Sequence, residues 1–223
     1  ITAVITNVAI QKSTLLYEIP FMIGITALLL VFGLTGSSIT FIEGVVFLLL
    51  FIAFLVYLFI MSKKGEVQEE GEIKDIPVWK CLLFMVIGGV MVVKGSDFAV
   101  SGASWIARFF GMSERFIGLT IVAFGTSLPE LVTSIVAARK NEVDMALGNA
   151  IGSNVFNILM VLGIASAISP ISIITENIID LCVLIVFTIC VWIFAGTKKK
   201  IGRIEGFSMV ALYVIYAVYI IIR

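Results

Sequence analysis

Seven mostly apolar stretches, each near the length of a bilayer crossing, dominate this sequence: 19–36, 39–61, 78–96, 116–138, 145–169, 177–196 and 204–222. A spanning helix takes about 20 such residues. The chain therefore reads as an all-α polytopic membrane protein with about seven transmembrane helices and almost no soluble part. Composition agrees, with 61% hydrophobic and 13% charged residues and a mean hydropathy of +1.17. A soluble domain runs nearer half apolar and a quarter charged, and a disordered chain is far less apolar. Zero formal net charge offers no field for nucleic acid. The absence of histidine excludes HExxH metalloproteases, Ser-His-Asp triads and histidine proton relays. Cys81, Cys182 and Cys190 lie in apolar runs without metal or disulfide spacing and read as small core residues. No cofactor is expected.

Basic residues set the expected orientation. If successive connections alternate sides, one side carries Lys12, Lys63, Lys64, Lys74, Lys80, Arg139, Lys140, Lys198, Lys199, Lys200 and Arg203. The other carries Lys94, Arg108, Arg115 and Arg223. Eleven against four makes the first side cytoplasmic, with residue 1 inside and the C-terminus outside. The hydrophilic stretch 62–77, SKKGEVQEEGEIKDIP, reads as a solvated cytoplasmic linker between two membrane halves. The stretch 97–113 is expected to continue the third helix along the outer interface.

Two segments resemble each other. ITFIEGVVFLLLFIAFLVYLFI begins at Ile39 and IGRIEGFSMVALYVIYAVYIII at Ile201, an offset of 162 residues (201 − 39). They share IxxIEG, and Tyr57 aligns with Tyr219. Transporters are often built from two such repeats with the site between them at the midplane. On this reading 1–61 holds the last two helices of a first repeat, 62–77 the linker, and 78–223 a complete second repeat of five helices. Residues 78–162 then lack a partner, which would lie before residue 1. The first residue being Ile rather than Met fits a missing beginning.

The polar residues within the membrane fall in this unpaired region. The fourth span carries Gly125, Thr126, Ser127, Pro129 and Glu130 at its centre. An ionisable group at that depth is costly and marks a functional candidate. Pro129 lacks the N–H that the Gly125 carbonyl would accept, and Gly125 eases the break. Carbonyls freed around Ala123 to Gly125 are tolerated only where they line a cavity or bind something. Thr126 or Ser127 can converge with Glu130 on one face. In the fifth span Asn149, Ser153 and Asn157 recur every four residues as a polar stripe, while Gly148 and Gly152 invite close approach of another helix. A proline kink capped by hydroxyls, with Asn and Ser as interhelical glue, is the plainer alternative, but it leaves Glu130 unexplained. Together these groups form an all-oxygen set suited to hard cations such as Ca²⁺ or Na⁺. A single carboxylate balances a divalent ion poorly. Asp97 lies near the outer end of its helix, so the missing repeat partner is the better source of a second. A Ser127 or Thr126 nucleophile would need a base, yet the chain has no histidine and Lys140 is expected at the cytoplasmic interface.

The sequence resembles the calcium/cation antiporter superfamily, specifically sodium/calcium exchangers. The resemblance rests on GLTIVAFGTSLPELVTS at 118–134 and GNAIGSNVFNI at 148–158, with VVKGSDFAVSGASWIARFFGMSERFIG at 92–118 also fitting. It implies a ten-helix fold of two inverted five-helix repeats, of which this chain looks like helices four to ten. It also implies the Ala123 carbonyl, Thr126, Ser127, Glu130 and Ser153 as ion ligands, and Asn157 at a position where relatives carry Asp or Asn. Asn149, Gly125 and Pro129 would support the site. A sliding role is implied for roughly 78–110, where Gly88, Gly89 and Gly95 would ease close packing. Calcium/proton exchangers typically carry an acid shortly after the GN pair, where Gly152 and Ser153 follow here. The expected activity is exchange of Na⁺ for Ca²⁺ across the cell membrane by alternating access, with a proton- or potassium-linked antiporter as the alternative. The expected partners are the two ions, the lipid bilayer and the rest of the polypeptide.

Overall fold

A computed structural model describes residues 1–63 and 77–222. The proposed linker at 62–77 falls largely outside the described residues. In chain order the elements are α1 (Thr2–Ile5), β1 (Val8–Ala9), a π-helical turn (Thr14–Glu18) leading into α2 (Ile19–Gly36), β2 (Ser38–Ile39) and α3 (Phe41–Lys63). Next come α4 (Val78–Phe109), α5 (Glu114–Ile117), a π-helical stretch (Gly118–Val122), α6 (Ala123–Gly125) and α7 (Leu128–Arg139). The chain continues through α8 (Val143–Val155), a π-helical stretch (Phe156–Val161), α9 (Leu162–Ile168) and β3 (Ile171–Ser172). It ends with α10 (Thr175–Lys198), β4 (Lys200–Ile201) and α11 (Arg203–Ile222).

Among the described residues, six continuous helical stretches are long and apolar enough to cross a membrane: Thr14–Gly36, Phe41–Lys63, Val78–Phe109, Val143–Ile168, Thr175–Thr197 and Arg203–Ile222. The chain is an integral membrane protein. The expected seventh crossing, 116–138, is not a continuous helix. It is broken into α5, the π-helical stretch, α6 and α7, with the break falling where Gly125 and Pro129 bracket two hydroxyl residues. The third span extends past 96 without interruption, as the sequence suggested. At 32 residues it is about 48 Å long at 1.5 Å per residue, against a hydrocarbon core of about 30 Å.

The apolar core joins α2 and α3 to α8, the following π-helical stretch and the ends of α10. Phe47, Val155, Leu159 and Ala195 are fully enclosed in it, and Ile19 almost so. Gly44 makes a close contact between α3 and α9. A Cβ there would stand 2.5 Å from Ser166 Oγ and 2.7 Å from the Gly163 carbonyl. Trp192 Nε1 donates to the Leu15 carbonyl at 2.9 Å, tying α10 to the π-helical turn.

Backbone outside the helices is paired in two short antiparallel ladders. Ser38 and Ile39 face Ser172 and Ile171, while Val8 and Ala9 face Ile201 and Lys200. The ladders lie outside the candidate spans and pair the backbone where the helices end. The two ladders share more than shape. Ser37 and Lys199, 162 residues apart (199 − 37), both end a helix in the left-handed region, with φ of 53° and 51°. The Glu43 carboxylate accepts the Thr40 N–H at 2.6 Å, and the Glu205 carboxylate accepts the Gly202 N–H. These are first-turn caps at matching places in the two IEG segments. Buried Thr26 and Thr188 each donate to the carbonyl four residues back at 2.8 Å. Gly206 meets Ala3 and Val4 much as Gly44 meets Ser166 and Ala167.

Two packing expectations need correction here. Cys81 and Cys182 are exposed rather than core residues, and Cys190 is half-buried. A Cβ at Gly148 or Gly152 would meet nothing within 4 Å, so no helix presses on that small-residue pair. They line a crevice of about 250 Å³ instead. Thr14 and Glu18 of the π-helical turn and Phe54 and Leu58 of α3 form the other side of that crevice.

Candidate cation site

The break in the fourth span follows from local chemistry. Pro129 has no N–H to give the Gly125 carbonyl. Ser127 N–H turns to the Phe124 carbonyl at 3.1 Å, three residues back instead of four. That leaves the Ala123 carbonyl without its usual amide, and Thr126 Oγ1 donates to it at 2.9 Å. Regular laddering resumes at Leu131, whose N–H reaches the Ser127 carbonyl at 3.0 Å. Glu130 therefore sits in the first turn of α7, where the helix dipole favours a negative group. The π-helical stretch Gly118–Val122 opens the first signature segment, and Phe156–Val161 overlaps the end of the second. Such bulges recur at functional sites, and nothing in the apolar pattern distinguishes them from α-helix.

Gly125 is fully enclosed because α4 crosses it. A Cβ on Gly125 would fall 2.0 Å from Val100 Cγ2. Beyond this crossing the helices diverge and leave a cavity of about 370 Å³, walled by Gly88, Gly89 and Val92 of α4, Pro129, Glu130 and Thr133 of α7, and Asn149 of α8. The close packing expected at Gly88, Gly89 and Gly95 is not found. A Cβ at any of the three would meet nothing within 4 Å, and the first two make room for the cavity instead.

Glu130 Oε2 is buried and has no hydrogen-bond partner among the described residues. Leaving a carboxylate oxygen dry and unpaired is costly unless a cation or proton occupies the space beside it. Asn149 Nδ2 lies 3.1 Å from the Glu130 carbonyl, 3.1 Å from Thr133 Oγ1 and 3.0 Å from Ser134 Oγ, joining α8 to α7. The structure thus gathers Pro129, Glu130 and Asn149 around one space. Ala123, Thr126, Ser127, Ser153 and Asn157 do not line that cavity. Thr126, Ser127 and Asn157 are exposed, Ser153 is half-buried, and the Thr126 hydroxyl is turned to its own backbone. Thr133 and Ser134 did not stand out in the sequence, although their spacing of three and four from Glu130 places them one turn along the same helix. Among the described residues no group of three or more His, Cys, Asp or Glu could hold a metal ion, so any ion here must rely on hydroxyl, amide and carbonyl oxygens beside one carboxylate.

Residues 80–222 match the family model described as sodium/calcium exchanger protein. The chain belongs to the sodium/calcium exchanger family. Over 96% of its length it is 36% identical to the putative antiporter CaxA of Alkalimonas amylolytica, covering 70% of that protein. A shorter stretch of 88 residues is 47% identical to the sodium/calcium exchanger MaX1 of Methanosarcina acetivorans, over 40% of this chain and 25% of that one. Among solved structures it resembles the sodium-calcium exchanger NCX_Mj soaked with Na⁺ and Sr²⁺, with a TM-score of 0.78 and 35% identity, over 96% of this chain and 68% of that one. The exchanger-family chain is thus a helical membrane protein of a cation-antiport family, and the relatives it matches are transporters rather than enzymes.

Proposed function

We propose that this chain carries the cation site of an antiporter that exchanges Na⁺ for Ca²⁺ by alternating access. The observation that carries the reading is the buried, partnerless Oε2 of Glu130, a residue that lines a cavity between α4, α7 and α8. The ligand set proposed is Glu130 with the hydroxyls of Thr126, Ser127 and Ser153, the Asn157 amide and the Ala123 carbonyl, and Asn149, Gly125 and Pro129 support it. The Thr126 hydroxyl would turn from the Ala123 carbonyl toward the ion when one enters. Na⁺ and Ca²⁺ would compete for these oxygens, and competition couples their movements, since a ligand shifts access only through its differential affinity for the two states. The shared caps, left-handed helix ends and ladders support treating 1–61 as helices of a first repeat and 78–223 as a second, joined by a linker at 62–77. The lysine and arginine bias supports a cytoplasmic residue 1, a cytoplasmic linker and an outward C-terminus in the cell membrane.

Radiocalcium uptake into vesicles bearing the full-length polypeptide tests the coupling. A sodium gradient should drive uptake, and a sodium ionophore should abolish it. Uptake driven by a pH gradient and stopped by a protonophore would instead make the protein a cation/proton antiporter.

A further inference from the structure

We propose that Thr133, together with Ser134, is a positioning residue for the Glu130 carboxylate. The inference rests on the reading of Glu130 as the cation-binding group. A helix normally holds each residue from both directions along its ladder, but Glu130 lies too close to the break for that. Its predecessor Pro129 has no N–H, and the first ladder bond across this turn comes from Leu131. The missing restraint is replaced from the side. Thr133 Oγ1 lies 2.9 Å from the Pro129 carbonyl and 3.0 Å from the Glu130 carbonyl. The same oxygen accepts from Asn149 Nδ2, which also reaches the Glu130 carbonyl and Ser134 Oγ.

The chemistry fixes the direction of this clamp. A carbonyl only accepts, so the end of the Asn149 amide facing Glu130 is the nitrogen. Its two protons are shared among three acceptors on α7, and the single Thr133 proton serves two carbonyls. Thr133 and Asn149 thereby bear on the carbonyls of Pro129 and Glu130, while Ser134 holds the Asn149 amide in place. Thr133 lines the same cavity as Glu130, so the residue that holds this backbone also belongs to the site. A fixed carboxylate matters more to Ca²⁺ than to Na⁺, because the attraction scales with ionic charge. Loosening the clamp should therefore weaken Ca²⁺ more than Na⁺.

The test compares Thr133→Val, Thr133→Ser, Ser134→Ala and Glu130→Gln in the full-length polypeptide, by radiocalcium uptake over a range of Ca²⁺ and of competing Na⁺. Losing the Thr133 hydroxyl should raise the Ca²⁺ half-saturation by roughly three- to tenfold, the scale of one hydrogen bond. The Na⁺ inhibition constant should move less, and the maximal rate little. Thr133→Ser should restore the parent value, and Ser134→Ala should move half-saturation in the same direction by less. If Thr133→Val and Thr133→Ser both match the parent while Glu130→Gln is inactive, the clamp is overturned and the site stands. If Glu130→Gln keeps saturable uptake, the reading beneath it fails. Should Thr133→Val not fold, an unchanged half-saturation in Ser134→Ala overturns the proposal.

Discussion

Two of the three helices that wall the cavity, α4 and α8, are held very differently. Across Val143–Ile168, a third of the most apolar window is buried, whereas in the corresponding window of α4 none is. α8 and the π-helical stretch after it pack into the core through Ile151, Val155, Ile158 and Leu159. α4 buries only Ser96, Ser104 and Ala107, and its aromatic residues Phe98 and Phe109 are more than three-quarters exposed. One wall of the candidate site is thus part of the core, and the other lies outside it, packed against the α5–α7 segment. A site built between a fixed and a lightly held wall can change its exposure without disturbing the core, which is what alternating access needs.

Glycine substitutions break the comparison most sharply. Gly44→Ala on the packed side places a methyl against Ser166 Oγ and the Gly163 carbonyl. Overpacking of that kind costs about 1–3 kcal/mol, so the thermal midpoint in detergent should fall clearly. Gly88→Ala on α4 meets open space, and removing a helix-interior glycine contributes about 0.5–1 kcal/mol of stability. The midpoint should hold or rise while Ca²⁺ uptake drops, because the methyl enters the cavity. Equal destabilisation by both would erase the distinction between the walls.

Next in size is the crossing of α4 over the break. Gly125→Ala should reduce uptake severely, since Val100 Cγ2 already occupies the space. Val100→Ala in the same polypeptide should recover part of it. Contacting residues of this kind couple by about 0.5–3 kcal/mol, and strictly additive effects on uptake would mean that the contact does not transmit.

The smallest effect belongs to the exposed pair that joins the last turn of α4 to α5. Arg108 Nε donates to Glu114 Oε1 at 2.7 Å, with both side chains exposed. This hydrogen bond holds the Glu114 carboxyl below the ordinary carboxylate range. A lowered pKa stabilises the fold above the unfolded value and loses that contribution as pH falls through the folded one. Exposure and salt screen it, so Glu114→Gln should leave the thermal midpoint at neutral pH unchanged. Any small difference should disappear in acid.

Particular residues show how far the sequence reached. The apolar runs and the lone Glu130 were legible because membrane burial penalises charge so strongly that each exception stands out. Pro129 located the break because its chemistry is local. The cavity was not legible, since it depends on where α4 diverges from α7, and glycines at 88 and 89 are equally compatible with contact and with space. Thr133 and Ser134 were hidden for a related reason. Helical hydroxyls often bond their own backbone, and only the approach of Asn149 from another helix gives these two a common purpose. The hydroxyls of Thr126 and Ser127 matched an oxygen-rich pattern, yet the pattern does not fix which way a freely rotating group turns.

Calcium binding by the full-length polypeptide and its Glu130→Gln variant tests the central claim most directly. Titration of Ca²⁺ at low Na⁺, followed by the rise in thermal midpoint, should show saturable stabilisation in the parent, reversed by Na⁺. It should show none in the variant, whose ion-free midpoint should stay at or above that of the parent because an unpaired buried carboxylate has been neutralised. Equal Ca²⁺-dependent stabilisation of the two proteins would contradict the assignment of Glu130 as the group that binds the ion.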